Sequence, residues 1–384
     1  MSNVTEFPVD LRLLGFHAGV LPDTKIQALI SLGAIDAPDG IEESQIQPAS
    51  LDLRLGTRVY RIRASFLPSD GVPILEKLKF AKLHEFEIGE ETVLERGCVY
   101  LIPLLEHLRL PRDIDAVANP KSSTGRLDVF ARLLCDNTIG FDRIPPGYEG
   151  PLFLEVAPRT FSIKVRAGSR LVQLRFRRRS SPLNDESLRR LHEVTPLVRG
   201  GSPLIQNGLC LRVNLQPTPD GVIGFRARRH TGLIDIDAVQ EYDAEDYWEP
   251  IFADRRSELI LDVDQFYLLA SKDQVVIPPT HAAEMMAFDA LMGETRVHYA
   301  GFFDPGFGIE PSSVVLEVRS RDVPFVLTDG QKIARLVYEQ LTDLPSHLYG
   351  GQGSHYQGQG LRLGKQFKLG KWAEEFSILR RKGE

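Results

Sequence analysis

The chain has 384 residues, of which 42% are hydrophobic and 26% charged, and its formal net charge is −6 at pH 7. This length allows two domains with a core each, and the acidic balance gives no reason to expect a nucleic acid or a membrane surface as partner. No apolar run approaches the roughly 20 residues of a membrane-spanning helix, and the N-terminus lacks the basic-then-apolar order of a signal peptide. We therefore expect a cytoplasmic protein.

The first predicted element is a helix over residues 25–30, preceded by an Asp-Thr pair and closed by Gly33. Residues 50–176 then form short alternating runs bounded by Gly, Pro or Asp, a pattern typical of a β-sandwich or barrel. A connector over 178–202 follows, with a predicted helix from Asn184 or Asp185 to about His192. These boundaries make residues 1–177 a first module, here called module one.

A second β-rich stretch over 203–345, here called module two, precedes a tail over 346–384. The Gly- and Gln-rich part of the tail, residues 349–360, is typical of a mobile loop, and residues 372–379 predict a short amphipathic helix. The basic run over 175–179 predicts a solvated strand end.

Module two repeats module one. Six residues of the first module recur with unchanged spacing in the second: Glu91, Leu94, Tyr100, Leu101, Pro111 and Ala116 become Glu258, Leu261, Tyr267, Leu268, Pro278 and Ala283. The pair Leu154-Glu155 likewise recurs as Leu316-Glu317. The copies differ where module one has Ser122, Ser123 and Arg126, since module two has Asp289, Ala290 and Gly293 there. The chain is therefore a duplication, and module one carries more of the side chains that could bind or react with a substrate.

Two clusters of module one could carry that chemistry. Residues 121–126, Lys-Ser-Ser-Thr-Gly-Arg, combine two cations, three hydroxyls and a glycine, which suits a polyanion cradle. Local sequence alone favours an ordinary polar turn. Residues 143–150 form a turn that leads into an apolar strand with one carboxylate, Glu155. On a solvated face it would be inert, whereas in a pocket its raised pKa would make it an acid/base group.

These clusters, with two further stretches, resemble the dCTP deaminase family of the dUTPase-like superfamily. Residues 47–56 are similar to the family's Ser-x-Asp-Leu-Arg-Leu-Gly strand, and residues 121–126 to its Arg-Ser-Ser-x-x-Arg phosphate motif. Residues 146–150 with Leu154-Glu155 are similar to its Pro-Gly-[Trp/Tyr]-x-Gly turn and Leu-Glu pair. Residues 354–359 are similar to the tail segment that closes over nucleotide. The resemblance implies a mainly β chain of two tandem dUTPase-like distorted jelly-roll or β-barrel modules with a few short helices.

The resemblance also implies hydrolytic deamination of dCTP to dUTP and ammonia, in pyrimidine deoxynucleotide metabolism, with Glu155 as general acid/base. Ser122 and Arg126 would hold the attacking water and orient Glu155. The implied substrate-binding residues are Lys121, Ser123, Thr124, Gly125, Arg143, Phe153, Leu154, Tyr349, His355 and Gln359. Mg²⁺ is expected with the triphosphate, and dTTP as a feedback inhibitor. A homo-oligomer is expected, either a trimer of two-module chains or a dimer.

A zinc mechanism is not expected. Zinc nucleobase deaminases use a Pro-Cys-x-x-Cys pair, and none of Cys98, Cys135 and Cys210 lies in one. The cysteines are also too widely spaced for a disulfide framework.

The chain departs from the family pattern at Pro145, where the family has an aspartate that Asp142 or Asp136 would have to replace. Because the related dUTPases use that aspartate to release pyrophosphate, Pro145 favours dUTP as product. Two alternatives stay open, a bifunctional deaminase–dUTPase and a nucleotide-binding sensor without turnover.

Module two keeps an Asp-Pro-Gly at 304–306 and Glu317 but lacks the serine–arginine motif. Module two and the tail are expected to contribute lining residues to an active site that belongs to module one. On this interpretation Glu155→Gln abolishes activity and Glu317→Gln leaves most of it.

Overall fold

The computed structural model describes residues 17–69, 71–253, 256–287, 296–297, 301–320, 322–351 and 356–368. The described part is mainly β, as predicted. It contains the helices α1 (Asp23–Ser31), α2 (Ile74–Ala81), α3 (Ser122–Gly125) and α4 (Asp185–Val194), with short 3₁₀ turns at Glu43–Gln45 and Ala244–Asp246. Local sequence explains the helix in the connector, since the Asn184 side chain accepts a hydrogen bond from the Ser187 N–H at 2.8 Å and so caps α4.

The described residues of module one form fourteen strands. They are β1 (Gly19–Val20), β2 (Ile35–Asp36), β3 (Ile46–Gln47), β4 (Ser50–Leu53), β5 (Arg58–Ile62), β6 (Lys82–Glu87), β7 (Thr92–Leu94), β8 (Val99–Arg109), β9 (Ile114–Pro120), β10 (Val129–Cys135), β11 (Arg143–Ile144), β12 (Glu149–Pro158), β13 (Ile163–Val165) and β14 (Val172–Arg178). One sheet has the order β11-β9-β14-β4-β3, with β1 on β14, and a second has the order β10-β12-β8-β5-β6, with β2 on β8.

The described residues of the connector and module two form thirteen further strands, of which only the first lies in the connector. They are β15 (Val198–Arg199), β16 (Leu209–Asn214), β17 (Val222–Ala227), β18 (Ile234–Asp235), β19 (Trp248–Phe252), β20 (Glu258–Leu261), β21 (Phe266–Val275), β22 (His281–Ala287), β23 (Arg296–Val297), β24 (Phe302–Phe303), β25 (Ser313–Arg319), β26 (Phe325–Thr328) and β27 (Lys332–Gln340). Ten of them form one sheet, along the path β19-β17-β21-β16-β27-β22-β24, to which β15, β23 and β25 are attached.

The strand pairing repeats between the modules. The antiparallel pairs β12–β8, β14–β9 and β13–β7 of module one correspond to β25–β21, β27–β22 and β26–β20 of module two. In the first of these pairs Glu155 lies opposite Leu101, and in its counterpart Glu317 lies opposite Leu268. The two glutamates therefore occupy equivalent places in two copies of one fold.

The modules are packed together through a continuous apolar core. The strand β13 of module one pairs in parallel with β18 of module two, with Ile163 opposite Ile234. Trp248 is fully buried, with Phe161 of module one at 5.5 Å and Phe367 of the tail at 5.9 Å between ring centroids. Both modules and the tail thus contribute side chains to the same cluster, which fixes how the halves of any shared site face each other.

The expectation that residues 175–179 form a solvated strand end is wrong. The Arg175 side chain on β14 is only 1% exposed, and its Nη2 lies 3.0 Å from the Asp304 Oδ1 of module two. Its Nη1 donates to the Ala283 carbonyl oxygen at 2.8 Å, and its Cζ lies 4.0 Å from the Phe302 ring centroid. Arg178 pairs with Asp113 at 2.7 Å. The run is basic because its members bind carboxylates, of which Asp304 and Glu339 lie in the other module.

The expectation of a mobile loop over 349–360 is also not met where the tail is described. The Tyr349 N–H donates to the Pro305 carbonyl oxygen at 2.8 Å, and the Gln359 carbonyl oxygen accepts from the Ser313 N–H at 2.8 Å. The side chain of Gln357 accepts from the Gly308 N–H and donates to the Gly306 carbonyl oxygen, both at 3.1 Å. The glutamine side chains of the tail thus hydrogen-bond to the backbone of module two and hold the tail in place, which its composition did not indicate.

We expect Arg175→Met to lower the free energy of unfolding by about 3–5 kcal/mol, because it leaves the buried Asp304 carboxylate without its cation. Chemical denaturation followed by tryptophan fluorescence measures this. Arg179→Met is the matched control, since the Arg179 side chain is 75% exposed and should change stability by less than about 0.5 kcal/mol. Equal effects of the two substitutions would contradict the role given to Arg175.

Candidate active site

The serine–arginine motif forms a single helical turn directly after β9. The Gly125 and Arg126 N–H groups donate to the Lys121 and Ser122 carbonyl oxygens at 3.0 and 3.1 Å. Because residues four apart share a side of such a turn, Ser122 and Arg126 point the same way. Ser123 and Arg126 are buried and Ser122 is half-buried. The turn therefore presents hydroxyls and one guanidinium to a confined space.

The Arg126 guanidinium is held by the tail. Its Nη2 donates to the Gln359 Oε1 at 2.9 Å, and its Nη1 donates to the carbonyl oxygens of Arg362 and Leu363 at 3.1 and 3.3 Å. Its Cζ lies 3.8 Å from the centroid of the Tyr356 ring, a cation–π distance. The Nε of Arg126 is buried without a hydrogen-bond partner, so this group still has a donor to offer.

Glu317 of module two is the carboxylate that faces Arg126. It lies on β25 and is 5% exposed. Burial raises the pKa of Glu317 to about 8, and the Arg126 guanidinium offsets only part of that rise. A carboxyl group with this pKa exchanges its proton near neutral pH, which suits a general acid/base.

Asp304 lies on the same side of module two, at the start of the turn that receives the tail. Burial raises the pKa of Asp304 above its ordinary value, while Arg175 acts in the opposite direction. The charges of Arg126 and Asp304 both act on the Tyr349 hydroxyl, whose pKa burial raises. The charge of Arg126 therefore acts on both Tyr349 and Glu317, and that of Asp304 on Tyr349.

The turn after Asp304 requires glycine. Gly308 has φ +80°, and a Cβ there would lie 1.8 Å from the Val275 carbonyl oxygen. The close approach brings this turn against β21 and leaves its Gly308 N–H for the Gln357 side chain, which anchors the tail.

Lys121 extends the site towards the strand β4. It forms an ion pair with the buried carboxylate of Asp52. Burial lowers the pKa of Lys365 in the tail, and both Lys121 and Asp52 act on that ammonium group. Several buried polar atoms of this region lack a protein hydrogen-bond partner: Ser50 Oγ, Asp52 Oδ1, Thr124 Oγ1 and Arg126 Nε. Buried polar groups are normally paired, so these atoms are open to a polar ligand.

Glu155, the sequence-predicted acid/base, has a different environment. It is 2% exposed, and its Oε1 accepts hydrogen bonds from Nε and Nη2 of Arg132. The Arg132 Cζ stacks 4.1 Å from the Phe141 ring centroid. The solvated alternative for Glu155 is thus excluded, and Arg126, which was expected to orient this carboxylate, is instead hydrogen-bonded to the tail. Arg126 acts instead on the charge of Glu317, and the segment that follows its turn is tied to β25 by the ion pair between Asp128 and Arg319.

The remaining predicted residues divide between the two places. Thr124 and Gly125 lie in the turn before Arg126, and Tyr349 and Gln359 lie in the docked tail. Phe153 and Leu154 pack in apolar clusters of module one, and Arg143 is exposed on β11. His355, the helix predicted over 372–379 and the module-two counterparts of the serine–arginine motif, Asp289, Ala290 and Gly293, lie outside the described residues.

The carboxylates suggested as replacements at Pro145 serve the backbone. Asp142 accepts from the Leu133 N–H at 2.7 Å, and Asp136 accepts from the Ile74 N–H at 2.7 Å. Burial raises the pKa of Asp142 to about 7. The charges of Glu155 and Arg132 act on Asp142, so this carboxylate belongs to the surroundings of Glu155.

Sequence reasoning missed Glu317, Asp304 and Arg175 as members of the candidate site, although a signal for two of them was present. Module one kept the serine–arginine motif and lost the aspartate, whereas module two kept the aspartate and glutamate and lost the motif. Complementary losses of this kind indicate one shared site. Nothing in the local sequence marks Arg175.

Two further findings concern the described residues as a whole. No group of three or more His, Cys, Asp or Glu side chains among them is placed to hold a metal ion. No helix in the described ranges has the length and apolar character to cross a membrane.

Comparisons with known proteins agree on one family. Residues 17–180 match the model of the 2'-deoxycytidine 5'-triphosphate deaminase (DCD) N-terminal domain, and residues 184–367 match that of the C-terminal domain. A crystal structure described as 2'-deoxycytidine 5'-triphosphate deaminase from Agrobacterium tumefaciens is 50% identical and superposes with a TM-score of 0.83. The match covers 85% of this chain and 97% of that one.

Curated relatives match over about the length of one module. A protein of Streptomyces avermitilis named "dCTP deaminase, dUMP-forming" is 34% identical over 164 residues, 42% of this chain and 82% of its own length. A protein of the same name from Parafrankia sp. is 36% identical over 164 residues, 42% of this chain and 78% of its own.

Proposed function

This chain belongs to the dCTP deaminase family, and we propose that it hydrolyses dCTP to dUTP and ammonia at a site shared between its two modules. The observation that carries this proposal is that the charge of Arg126 in module one acts on the buried Glu317 in module two, while the ion pair between Asp128 and Arg319, each two residues further along, joins the same two segments. Neither module alone has both groups in the described residues. Their joint enclosure by the tail supports a site that closes on a small substrate.

Glu317 is the proposed general acid/base. Its carboxylate takes a proton from a water molecule as the water oxygen attacks C4 of the cytosine ring, and it passes that proton to ring N3. It then moves the proton of the new hydroxyl to the exocyclic nitrogen, and the C4–N4 bond breaks to release ammonia. The pKa of about 8 makes the Glu317 carboxylate a stronger base than an exposed glutamate.

The residues of module one hold the substrate. Ser122 and the free Nε of Arg126 are placed to position the attacking water and the carboxylate. Lys121 and Ser123 would bind the triphosphate, which arrives as its Mg²⁺ complex, with Tyr349 and Gln359 contributing from the tail. A zinc-free reaction is supported by the sequence, since no cysteine lies in a Pro-Cys-x-x-Cys pair. dTTP shares the deoxyribose and triphosphate and is proposed as an inhibitor; a homo-oligomer stays a prediction.

Release of dUTP is favoured by the state of Asp304, not by Pro145. Pro145 lies in the module of Glu155 and not in that of Glu317. If Glu317 is the acid/base group, the proline at 145 therefore no longer predicts whether dUTP or dUMP is formed. The Asp304 carboxylate is bound by Arg175 at 3.0 Å, so the oxygen that accepts from this guanidinium is less available to a water molecule beside the α-phosphate. The second candidate, a dUMP-forming enzyme, is favoured by the aspartate that module two keeps before its Pro-Gly, Asp304, and by the names of the curated relatives.

We expect Glu317→Gln to lower kcat by at least about a hundredfold, because it removes the proposed proton carrier. The matched control is Glu155→Gln at the equivalent place of module one, which should keep kcat within about twofold if Arg132 and Glu155 have only a structural role. Ammonia release from dCTP measures both, with circular dichroism to check folding. The opposite ranking would return the acid/base role to Glu155.

We expect kcat/KM to rise between pH 7 and 8 and to level off above about pH 8.5. With a pKa of about 8, roughly one tenth of Glu317 is ionised at pH 7 and about half at pH 8, so the rise should be about fivefold. Initial rates at low dCTP concentration give the profile. A decrease over this range would mean that the protonated carboxyl is the active form.

We expect ammonia and dUTP in equal amounts when the purified chain is incubated with dCTP and Mg²⁺. Ion-exchange chromatography resolves dUTP, dUMP and pyrophosphate while ammonia is assayed in parallel. Ammonia with dUMP and pyrophosphate would show that Asp304 activates water despite Arg175. Retention of dCTP on the protein without ammonia would make the chain a nucleotide sensor.

A further inference from the structure

A second concave site lies at the junction of the modules, away from the tail. Its volume is about 240 Å³. Module one contributes the turn before β8 and the segment after β12, and module two contributes the end of β17, the turn before β21 and the end of β25. Five arginines line it: Arg96, Arg159, Arg228, Arg229 and Arg319. This concentration of cations is unexpected in a chain with a net charge of −6.

The cations of this cavity, here called the arginine cavity, exceed their carboxylate partners. Arg319 binds Asp128 and lies 3.9 Å from the carboxylate of Asp264, which also lines the cavity, and Arg228 lies 3.5 Å from Glu249. Within the described ranges, no carboxylate is within ion-pair distance of Arg96, Arg159 or Arg229. Arg229 donates to the neutral Gln265 side chain at 3.3 Å, and Arg159 lies 5.8 Å from the Phe130 ring centroid. Positive charge converging in a cleft attracts anions strongly.

The floor of the arginine cavity is rigid. Arg319 is 6% exposed and donates to the Asp264 carbonyl oxygen at 3.0 Å and to the Thr160 Oγ1 at 2.9 Å, in addition to Asp128. Of these three partners of Arg319, Thr160 and Asp128 belong to module one and Asp264 belongs to module two. The exposed guanidinium groups of Arg96, Arg159 and Arg229 surround this floor, so an anion would be contacted from several directions without a large rearrangement.

We propose that the arginine cavity binds a multiply charged phosphate chain, such as pyrophosphate or tripolyphosphate, at a site separate from the serine–arginine turn. Guanidinium groups match phosphate oxygens with paired hydrogen bonds, and several phosphates can engage several arginines at once. The one aromatic lining residue, Phe266, is completely buried and offers no ring face to a base. The cavity therefore fits the phosphate chain and not a whole nucleotide.

The position of the cavity connects it to the candidate active site. Arg319 follows Glu317 by two residues on β25, so their side chains share a face of the strand. Asp128 binds Arg319, and its charge also acts on Glu317. An anion that competes with Asp128 for Arg319 would change the charge around Glu317, which gives the site a route to influence turnover.

Isothermal titration calorimetry of the full chain with pyrophosphate and with tripolyphosphate at low ionic strength tests the proposal. The double variant Arg96→Ala/Arg159→Ala should weaken binding by about a hundredfold, from about tenfold for each lost arginine. Arg96→Lys/Arg159→Lys should lose only part of the affinity, because charge remains without the planar fork. Arg63→Ala, an exposed arginine outside the cavity, is the matched control and should leave binding unchanged.

Lys121→Ala separates the cavity from the substrate site. Binding that persists in Lys121→Ala and is lost in the double alanine variant supports the cavity. The reverse pattern, or equal affinity of wild type and double variant, overturns the proposal. ATP is titrated in the same way, and tighter binding of ATP than of tripolyphosphate would identify the tail of a nucleotide as the ligand. Tighter binding of tripolyphosphate would identify the free chain.

Discussion

The guanidinium of Arg175 crosses from module one into module two, where it donates to the Ala283 carbonyl oxygen and binds the Asp304 carboxylate. A buried cation is tolerated only when its donors and its charge are satisfied, so this contact fixes the turn after Asp304 relative to β14. That turn receives the tail through Gln357, and the tail in turn holds Arg126 through Gln359. The order of the site thus depends on one buried ion pair that is remote from the serine–arginine motif in sequence.

In the proposed shared site the two copies of the fold contribute different functional groups. Each module keeps the groups that the shared site takes from it, Arg126 in one and Glu317 in the other. The equivalent carboxylate of module one, Glu155, is neutralised by Arg132, and the aspartate before its Pro-Gly has become Pro145. In the proposed shared site Glu155 does not face the substrate. It can therefore take a structural role, and its ion pair with Arg132 is that role.

The sequence was sufficient for features that depend on neighbouring residues. The capped helix α4, the mainly β content and the turn over 121–126 follow from spacing and composition. Glu155 and Glu317, however, lie in the same Leu-Glu-Val context, so no local pattern can distinguish a glutamate that meets Arg126 from one that meets Arg132. That difference is decided by how two modules pack. The tail was misjudged for a related reason, because its glutamines find partners only after module two has formed.

The parallel pairing of β13 with β18 joins the halves of the site within one polypeptide. Bringing Arg126 to Glu317 is then a unimolecular event whose equilibrium does not depend on protein concentration, unlike a site formed between separate subunits. The linker between the modules sets a high effective concentration for their encounter. Dilution that would separate the halves of an intersubunit site leaves these two halves joined.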